Sequence, residues 1–428
     1  MRAMKDSGVE WIGKIPAGWD TIKLKYVIND VVTGTTPPGA KLEHYSEIGL
    51  PWFTPADIGD KIYIDKAQKY LSIDGQKFVK TIPQNSILMI GIGASMGKVS
   101  LVAVDCATNQ QINAIICNSN IINCKFLVFC LSIMREYMYS TTKFTTLPII
   151  NQKETKTIVT PVPPLAEQAV VAAYLDDKCA KIDSIITMNE RIIAKLKEYK
   201  ASLITETVTK GLNTDAEMKD SGVEWIGEIP KAWALRKISS GFKIYSGATP
   251  KSDRLEYWGG NIVWITPADY KTEDKYIEIG RKSLTQKGYE ACAVTIVPSN
   301  SIIFSKRAPV GTVAINKVPL CTNQGCLSCV PNNNADTKYF YYAMSVFTEQ
   351  FELFSSGTTF KEISAESFAN FLLPFPPLTE QTAIAAYLDD KCDKIDNSIR
   401  LRESLIAKLL EYKKSLIYEI VTGKKEIV

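Results

Sequence analysis

The chain has 428 residues, and its composition of 46% hydrophobic and 22% charged residues is typical of a folded protein with two or more domains. This composition excludes a disordered or collagen-like chain. The net charge of +4 permits a nucleic-acid partner but does not demand one. A single histidine, His44, leaves little material for a His-rich zinc site or a His-based catalytic triad.

The first residues, MRAMKDS, lack the apolar core of a signal peptide, and no apolar run approaches the roughly 18–20 residues that a membrane span needs. Ten cysteines at scattered spacings suggest reduced thiols rather than a disulfide framework. We therefore expect a cytoplasmic protein with no membrane partner.

The sequence contains an internal repeat. Residues 4–13 read MKDSGVEWIG, and residues 218–227 read MKDSGVEWIG again. Residues 163–209 align with residues 376–422, and 31 of these 47 positions are identical. The repeat predicts two copies of one structural unit related by a pseudo-two-fold axis.

Short islands also recur between these blocks, and we call all the recurring segments the frame. The paired islands are Gly34-Thr-Thr-Pro37 with Gly247-Ala-Thr-Pro250, Trp52-Phe-Thr-Pro-Ala-Asp57 with Trp264-Ile-Thr-Pro-Ala-Asp269, and Asn109-Gln110 with Asn323-Gln324. Residues 59–80 and 270–296 share little. The same frame therefore carries two different inserts.

The middle of each repeat has the pattern of an α+β domain. Residues 87–90 and 302–304 are short apolar runs between turn residues, and residues 99–104 alternate, so each predicts a strand. Residues 126–138 and 339–354 have the apolar spacing of packed helices.

The end of each repeat predicts a long helix. Pro163-Pro164 and Pro376-Pro377 precede it, and no proline or glycine follows until Gly211 and Gly423. A helix of this length needs a partner along its whole face. The predicted seam, which follows a heptad, comprises Ile182, Ile185, Asn189, Ile192, Leu196, Tyr199 and Leu203, and Ile395, Leu405, Leu409, Tyr412 and Leu416.

The two helices can pair between chains or within one chain, and the presence of two matching copies favours pairing within the chain. The predicted fold class is α+β, with two similar α+β domains separated by two long antiparallel helices that form a coiled coil. The predicted segments are an opening segment (1–19), a first domain (20–160), a central helix (161–217), a repeated opening segment (218–233), a second domain (234–373) and a C-terminal helix (374–428).

The sequence motifs that would indicate catalysis or cofactor binding are incomplete or absent. The stretch 91–100, GIGASMGKVS, has the wrong glycine spacing for a P-loop, and its repeat loses the lysine. Cys326 and Cys329 have no second ligand pair nearby, so we expect buried thiols and no metal. The Asn/Asp-Pro-Pro-Tyr/Phe motif of amino-methyltransferases is absent, and the sequence predicts no catalytic residue and no cofactor in this chain.

The frame resembles the specificity subunit of type I restriction–modification systems. The motifs that carry the resemblance are MKDSGVEWIG, GTTP and GATP, TPAD, Asn-Gln, and PPLxEQ followed by AAYLDDK, and they cover nearly the whole chain. The resemblance implies two target-recognition domains that each read half of a bipartite site on double-stranded DNA. It also implies modification subunits that use S-adenosylmethionine and restriction subunits that use ATP and Mg²⁺, so that catalysis belongs to these partners.

Candidate DNA contacts come from polar loops that recur in both domains. They are Lys98, Asn109, Gln110, Thr145, Thr146, Lys306, Arg307, Asn323, Gln324, Thr358, Thr359 and Lys361. The Asn-Gln pairs could instead close turns. The competing functions are a scaffold whose two heads bind protein or sugar, and a self-contained nuclease–methyltransferase, which the missing methylation motif argues against.

Overall fold

The computed structural model describes residues 2–40, 42–59, 61–141, 147–355 and 361–427. The chain divides into two compact units, one made of Met1–Asn189 with Glu403–Val428 and the other of Glu190–Arg402. The division passes through both long helices, so each unit contains one α+β domain and half of each helix.

Among its described residues, the first unit contains thirteen strands and six α-helices or helix halves. Its strands are β1 (Met4–Asp6), β2 (Lys14–Pro16), β3 (Asp20–Lys23), β4 (Ile28–Thr33), β5 (Tyr45–Ser46), β6 (Leu50–Phe53), β7 (Tyr63–Ile64), β8 (Tyr70–Leu71), β9 (Ile87–Ile90), β10 (Val99–Val102), β11 (Ala107–Thr108), β12 (Ile112–Cys117) and β13 (Val159–Val162). Its helices are α1 (Ile73–Gln76), α2 (Cys124–Ser132), α3 (Arg135–Thr141), α4 (Gln152–Thr155), the first half of α5 (Leu165–Lys210) and the second half of α10 (Leu378–Val421).

A five-stranded sheet with the order β4-β12-β9-β10-β7 forms the centre of the first domain. Its pairs are antiparallel except for β7 with β10, which is parallel. The chain between β4 and β12 also forms a four-stranded sheet with the order β11-β6-β8-β5. The two-stranded sheets β1-β2 and β13-β3 complete the unit.

The second unit repeats this plan. Its strands are β14 (Met218–Asp220), β15 (Glu228–Pro230), β16 (Ala234–Lys237), β17 (Phe242–Ser246), β18 (Trp258–Ile265), β19 (Tyr276–Ile277), β20 (Lys282–Leu284), β21 (Ile302–Ser305), β22 (Val313–Asn316), β23 (Cys321–Thr322), β24 (Cys326–Pro331) and β25 (Leu372–Phe375). Its helices are α6 (Gln286–Glu290), α7 (Thr337–Val346), α8 (Thr348–Leu353), α9 (Ala365–Asn370), the second half of α5, and the first half of α10 (Leu378–Val421).

The central sheet of the second domain has the order β17-β24-β21-β22-β19, which matches the first domain strand for strand. The smaller sheet differs between the domains, because β20-β18-β23 has three strands whereas β11-β6-β8-β5 in the first domain has four. The predicted α+β repeat is therefore confirmed, and the divergence lies in the inserts.

The predicted strands at 87–90, 99–104 and 302–304 are confirmed, but each long helix predicted within a domain is two shorter helices. In the first domain α2 ends at Ser132 and α3 begins at Arg135. In the second, Phe347 separates α7 from α8. Burial continues across both breaks, since Met134 and Phe347 are in the core. Apolar spacing alone therefore gives no sign of the break.

The long helices begin and end where the sequence predicts. Each starts directly after its Pro-Pro pair, and Gly211 and Gly423 follow the last turn with φ of +78° and +66°. This left-handed conformation ends a helix at little cost for glycine.

The two helices run antiparallel in each unit. In the first unit, Lys413 Nζ lies 2.6 Å from Asp183 Oδ1, whereas the earlier residue Glu167 bonds Trp19, whose ring approaches Gly423. In the second unit, Lys200 Nζ lies 2.7 Å from Asp396 Oδ2. The two ion pairs occupy equivalent positions in the repeat, as two copies of one structural unit require.

The structure corrects the phase of the predicted seam. Ile182 and Asn189 are buried and Leu196, Leu203 and Ile192 are half-buried; Ile395 and Leu416 are buried and Leu409 is half-buried. The predictions for Ile185, Tyr199, Leu405 and Tyr412 are wrong, because these four side chains are exposed.

Each of these four wrong positions is one residue too early, because the residue that follows it is buried or half-buried. Ile186 is buried where Ile185 was expected, and its equivalent in the second helix, Ile399, is buried too. Lys200 and Lys413 replace the neighbouring tyrosines and bond aspartates on the facing helix. A heptad allows spacings of three then four or of four then three, and apolar residues alone favour the spacing that leaves the two lysines out of the seam.

Side chains in the first turns of α5 and α10 bond each helix to other segments of its own unit. Trp19 Nε1 donates to Glu167 Oε2 at 3.0 Å, and Trp233 Nε1 donates to Glu380 Oε2 at 2.9 Å. The buried Gln168 donates to the carbonyls of Ile121 and Pro163. These bonds give the Glu-Gln pair of the repeated PPLxEQ motif a structural role.

In the repeated Asp-Asp pairs of the long helices, 176–177 and 389–390, the first acid attaches a domain to its helix. Asp389 accepts hydrogen bonds from Tyr342 at 2.7 Å, from Lys338 at 2.9 Å and from Lys275. Asp176 accepts from Lys125 at 2.9 Å and from the Tyr63 hydroxyl. These two acids therefore serve as structural anchors.

Candidate nucleic-acid interface

Three separate loops of the second domain meet on one surface. The Lys306 amide donates to the Gly325 carbonyl at 3.0 Å, and the Ile363 amide donates to the Lys306 carbonyl at 3.0 Å. Residues 305–307, 323–325 and 361–363 are thereby side by side, although up to 58 positions of sequence separate them.

The same three loops meet in the first domain. The Gly91 amide donates to the Gln111 carbonyl at 2.7 Å, and the Ile150 amide donates to the Gly91 carbonyl at 2.8 Å. We call residues 91–93, 109–111 and 147–150, and their equivalents in the second domain, the convergent surface. The sequence predicted these loops as separate contacts, and the structure places them together.

A fourth segment of the frame supports the convergent surface. The Thr36 hydroxyl donates to Gln110 Oε1, and the Thr249 hydroxyl donates to Gln324 Oε1. A Cβ on Gly34 would lie 2.2 Å from the Thr108 carbonyl oxygen. Only glycine allows this approach, which explains why Gly-x-Thr-Pro recurs.

The Trp-x-Thr-Pro-Ala-Asp island holds that segment in place. Trp52 Nε1 donates to the Thr35 carbonyl at 3.1 Å, and Trp264 Nε1 donates to the Ala248 carbonyl at 3.0 Å. The Asp57 carboxylate accepts from both the amide and the hydroxyl of Thr54. The island is therefore a scaffold for the convergent surface.

The predicted Asn-Gln contacts divide into an exposed and a turn-closing residue. Gln110 and Gln324 are exposed on the convergent surface. Asn109 is buried and its Oδ1 accepts from the Gln111 amide at 3.1 Å, and Asn323 Oδ1 accepts from the Gly325 amide at 2.9 Å. The two asparagines thus shape the turn that presents the glutamines.

Lys98 lies apart from the other candidates. The Gly97 amide donates to the Ile90 carbonyl at 2.8 Å, so residues 91–97 form a turn between the antiparallel strands β9 and β10. Lys98 follows this turn and lines a groove with Arg135, Lys413 and Ile417. Because no helix follows the glycines, the turn lacks the helix N-terminus of a P-loop.

An ion-pair cluster lies on the convergent surface of the second domain. Glu362 Oε1 lies 2.9 Å from Lys306 Nζ, and Glu362 Oε2 lies 2.8 Å from Arg307 Nε. The bond from Lys306, and then that from Arg307, holds the pKa of the Glu362 carboxyl below its usual value. Sequence reasoning missed Glu362, although it lies beside the predicted Lys361.

The equivalent positions of the first domain are apolar. Ile92 pairs with Ile149 as an antiparallel bridge, just as Arg307 pairs with Glu362. Both isoleucines reach solvent in part. One backbone arrangement therefore presents opposite chemistry in the two domains.

The remaining predicted contacts are only partly described. Lys361 is exposed, with its Nζ 3.8 Å from Glu352 Oε2. Thr145, Thr146, Thr358 and Thr359 lie outside the described residues.

A sequence profile described as the type I restriction modification DNA specificity domain matches residues 16–198 and again residues 230–411. The chain belongs to this family. It carries the specificity domain twice, and the two matches correspond to the two halves of the repeat.

Curated relatives of this specificity-family chain are named as specificity subunits. The putative MjaX specificity subunit of Methanocaldococcus jannaschii is 26% identical and matches 96% of this chain and 95% of its own length. The MjaIX specificity subunit of the same organism is 36% identical over 204 residues, and this match spans 47% of each chain, about half of the relative's length.

Solved structures share the fold. A chain from a type I R-M system, studied for complex assembly and conformational transition, aligns with a TM-score of 0.76 at 16% identity over 96% of this chain and 99% of its own. The HsdS subunit from Thermoanaerobacter tengcongensis aligns with a TM-score of 0.54 at 16% identity over 96% of this chain and 98% of its own.

The cysteine pair of this specificity-family chain is buried in strand β24. Burial raises the pKa of the Cys326 thiol to about 12 and also raises that of Cys329. Such thiols are neutral and therefore poor metal ligands. Across the described ranges, no group of three His, Cys, Asp or Glu side chains is placed to hold a metal ion, and no helix is both long and apolar enough to cross a bilayer.

Proposed function

We propose that this chain is the specificity subunit of a type I restriction–modification complex. In this role each domain reads one half of a bipartite, asymmetric site on double-stranded DNA. The long helices set the spacing between the half-sites and dock the modification subunits. Methylation with S-adenosylmethionine, and ATP- and Mg²⁺-dependent translocation and cleavage, belong to the partner subunits.

The observation that carries the proposal is the convergent surface, which occurs once in each domain on the same frame with different side chains. Sequence-specific recognition needs a rigid support and a few variable polar or apolar groups at the base edges. Ile92 and Ile149 in one domain, against Arg307 and Glu362 in the other, supply that difference. Two unlike surfaces favour an asymmetric site.

Binding selection with the complex of this chain and its modification subunits tests the proposal. We expect one bipartite sequence with unlike halves, and an affinity that falls steeply as salt increases because phosphate contacts release counterions. Methylome sequencing of cells that contain the complex should show the same sequence.

A domain exchange provides the matched control. Replacing residues 234–373 with residues 20–160 gives a chain with two copies of the first domain, and we expect it to select an inverted repeat of one half-site. Binding that is insensitive to salt, or a preference for a protein or sugar ligand, would contradict the DNA proposal.

A further inference from the structure

The convergent surface of the second domain contains an arginine that a neighbouring carboxylate holds in place. The Arg307 guanidinium uses Nε to bond Glu362 Oε2 at 2.8 Å. Within the described part of the chain, its two Nη groups make no hydrogen bond, and the side chain is 48% exposed. The guanidinium is thus fixed at one nitrogen while its other N–H donors remain available to a ligand.

Glu362 is positioned to hold Arg307 rather than to read DNA itself. Its second oxygen, Oε1, lies 2.9 Å from Lys306 Nζ, so both carboxylate oxygens are already bonded. Lys306 is only 15% exposed and serves as the counter-ion of the carboxylate. Its backbone is fixed by hydrogen bonds to Gly325 and Ile363 on either side.

The charges of the cluster favour a base over a phosphate. A carboxylate within hydrogen-bond distance of the guanidinium repels a phosphate and reduces the net charge of the three groups to +1. The major-groove edge of guanine is uncharged and offers two acceptors, O6 and N7, that match two parallel N–H donors. No other base presents two acceptors there within the same ring edge.

We infer that Arg307 reads a guanine in the half-site of the second domain, and that Glu362 and Lys306 position it. The inference rests on the proposed function, since it names the base that one surface of that function selects. The first domain cannot make this contact at the equivalent point, because Ile92 and Ile149 carry no donor. Their exposed methyl groups suit apolar contact with a thymine methyl.

The test is binding selection with the intact complex of this chain and its modification subunits, on a randomised DNA library. Arg307→Ala should reduce the preference for guanine over the other bases at one position of one half-site by roughly 10-fold or more. Affinity for non-cognate DNA and the slope of affinity against salt should not change. Glu362→Gln should weaken the same preference by a smaller factor, since the guanidinium stays but is less firmly held.

Arg236→Ala is the matched control. Arg236 is an exposed arginine of the second unit on β16, outside the convergent surface, so its loss removes the same charge without affecting base preference. Arg307→Lys supplies a second variant should Arg307→Ala reduce folding, and it should weaken the preference because an ammonium lacks the rigid planar fork that bonds Glu362 through Nε and leaves two parallel donors for the base.

Two results would overturn the inference. One is a loss of affinity that is equal for all sequences, with a salt slope reduced by about one, which is the behaviour of a phosphate contact. The other is that Arg307→Ala leaves the base preference at every position of the selected DNA site the same as in the wild type. A wild-type complex that selects no DNA sequence would instead refute the proposed function itself.

Discussion

The two domains of this chain share a frame and differ where they would touch a ligand. Their central sheets have the same strand order, and the same glycine, tryptophan and aspartate support each convergent surface. The side chains presented by that support are Ile92 and Ile149 in one domain and Arg307 and Glu362 in the other. Backbone geometry is therefore retained while surface chemistry changes.

The difference follows from what each position must satisfy. Gly34 and Gly247 face backbone oxygens at distances that exclude any side chain. What Ile92 and Arg307 have in common is a backbone bridge, which any side chain permits, so their side chains can differ. A frame of this kind allows one half of a recognition site to change without the other.

The largest expected effect is on the frame glycines. A Cβ at Gly34 or Gly247 would lie 2.2 or 2.1 Å from a backbone carbonyl oxygen, so Gly34→Ala and Gly247→Ala force the chain to move. We expect each to lower the free energy of unfolding of its unit by roughly 2–4 kcal/mol. Chemical denaturation measures the loss.

Gly18→Ala is the control for the glycine variants, because nothing lies within 4 Å of its Cβ position and its φ is ordinary. It should change the free energy of unfolding by less than about 0.5 kcal/mol. A large loss in one domain and none in the other would mean that the two frames are not equivalent.

Sequence reasoning was strongest where the signal was a repeat or a helix boundary. The Pro-Pro and glycine positions bounded α5 and α10, and the duplication predicted two domains of one topology. The seam phase was wrong because Lys200 and Lys413 occupy seam positions, and their aspartate partners are over 190 residues away in sequence. Apolar periodicity cannot detect a charged seam residue.

The convergent surface could be predicted only in pieces. The polar residues of each loop predicted a contact for that loop alone. The hydrogen bonds that join Lys306 to Gly325 and Ile363 link backbone atoms, so no side-chain motif indicates them. Backbone bonds between distant loops depend on the tertiary fold and leave no side-chain pattern. For the same reason Glu362 and the pair Ile92 and Ile149 went unpredicted.

A smaller effect should distinguish the two anchors that attach domain to helix. Asp389 bonds three donors and Asp176 bonds two, so Asp389→Asn should destabilise its unit by about 2 kcal/mol and Asp176→Asn by about 1 kcal/mol. Thermal or chemical denaturation of the full chain measures both. Equal losses would mean that the third donor contributes nothing.

The Asp389 anchor also predicts a pH dependence. Burial raises the pKa of Asp389, but bonds from Lys275, Lys338 and Tyr342 outweigh it, so that the net pKa lies below 3.8. A lowered carboxyl pKa stabilises the fold above the unfolded value and loses that contribution as pH falls through the folded value. The stability difference between wild type and Asp389→Asn should therefore be full at pH 7 and decline only below about pH 4.

The smallest expected effect concerns the equivalent ion pairs between the helices. Lys413 with Asp183 and Lys200 with Asp396 have N–O distances of 2.6 and 2.7 Å, and in both pairs the aspartate is about half exposed. Partly exposed pairs contribute about 0.5–1 kcal/mol, and salt screens them. Double-mutant cycles with alanine at each partner should give coupling energies in this range that decrease in 1 M salt.

The pair with the more buried lysine should have the slightly larger coupling energy. The Lys413 side chain is 14% exposed and that of Lys200 is 30% exposed, and lower exposure reduces screening by water. Values within about 0.3 kcal/mol of each other would show that the repeat is energetic as well as geometric. A difference in coupling energy above roughly 1 kcal/mol would mean that the two halves of the helix pair have diverged in stability while they kept the same seam. The two convergent surfaces have likewise diverged in chemistry on the same backbone.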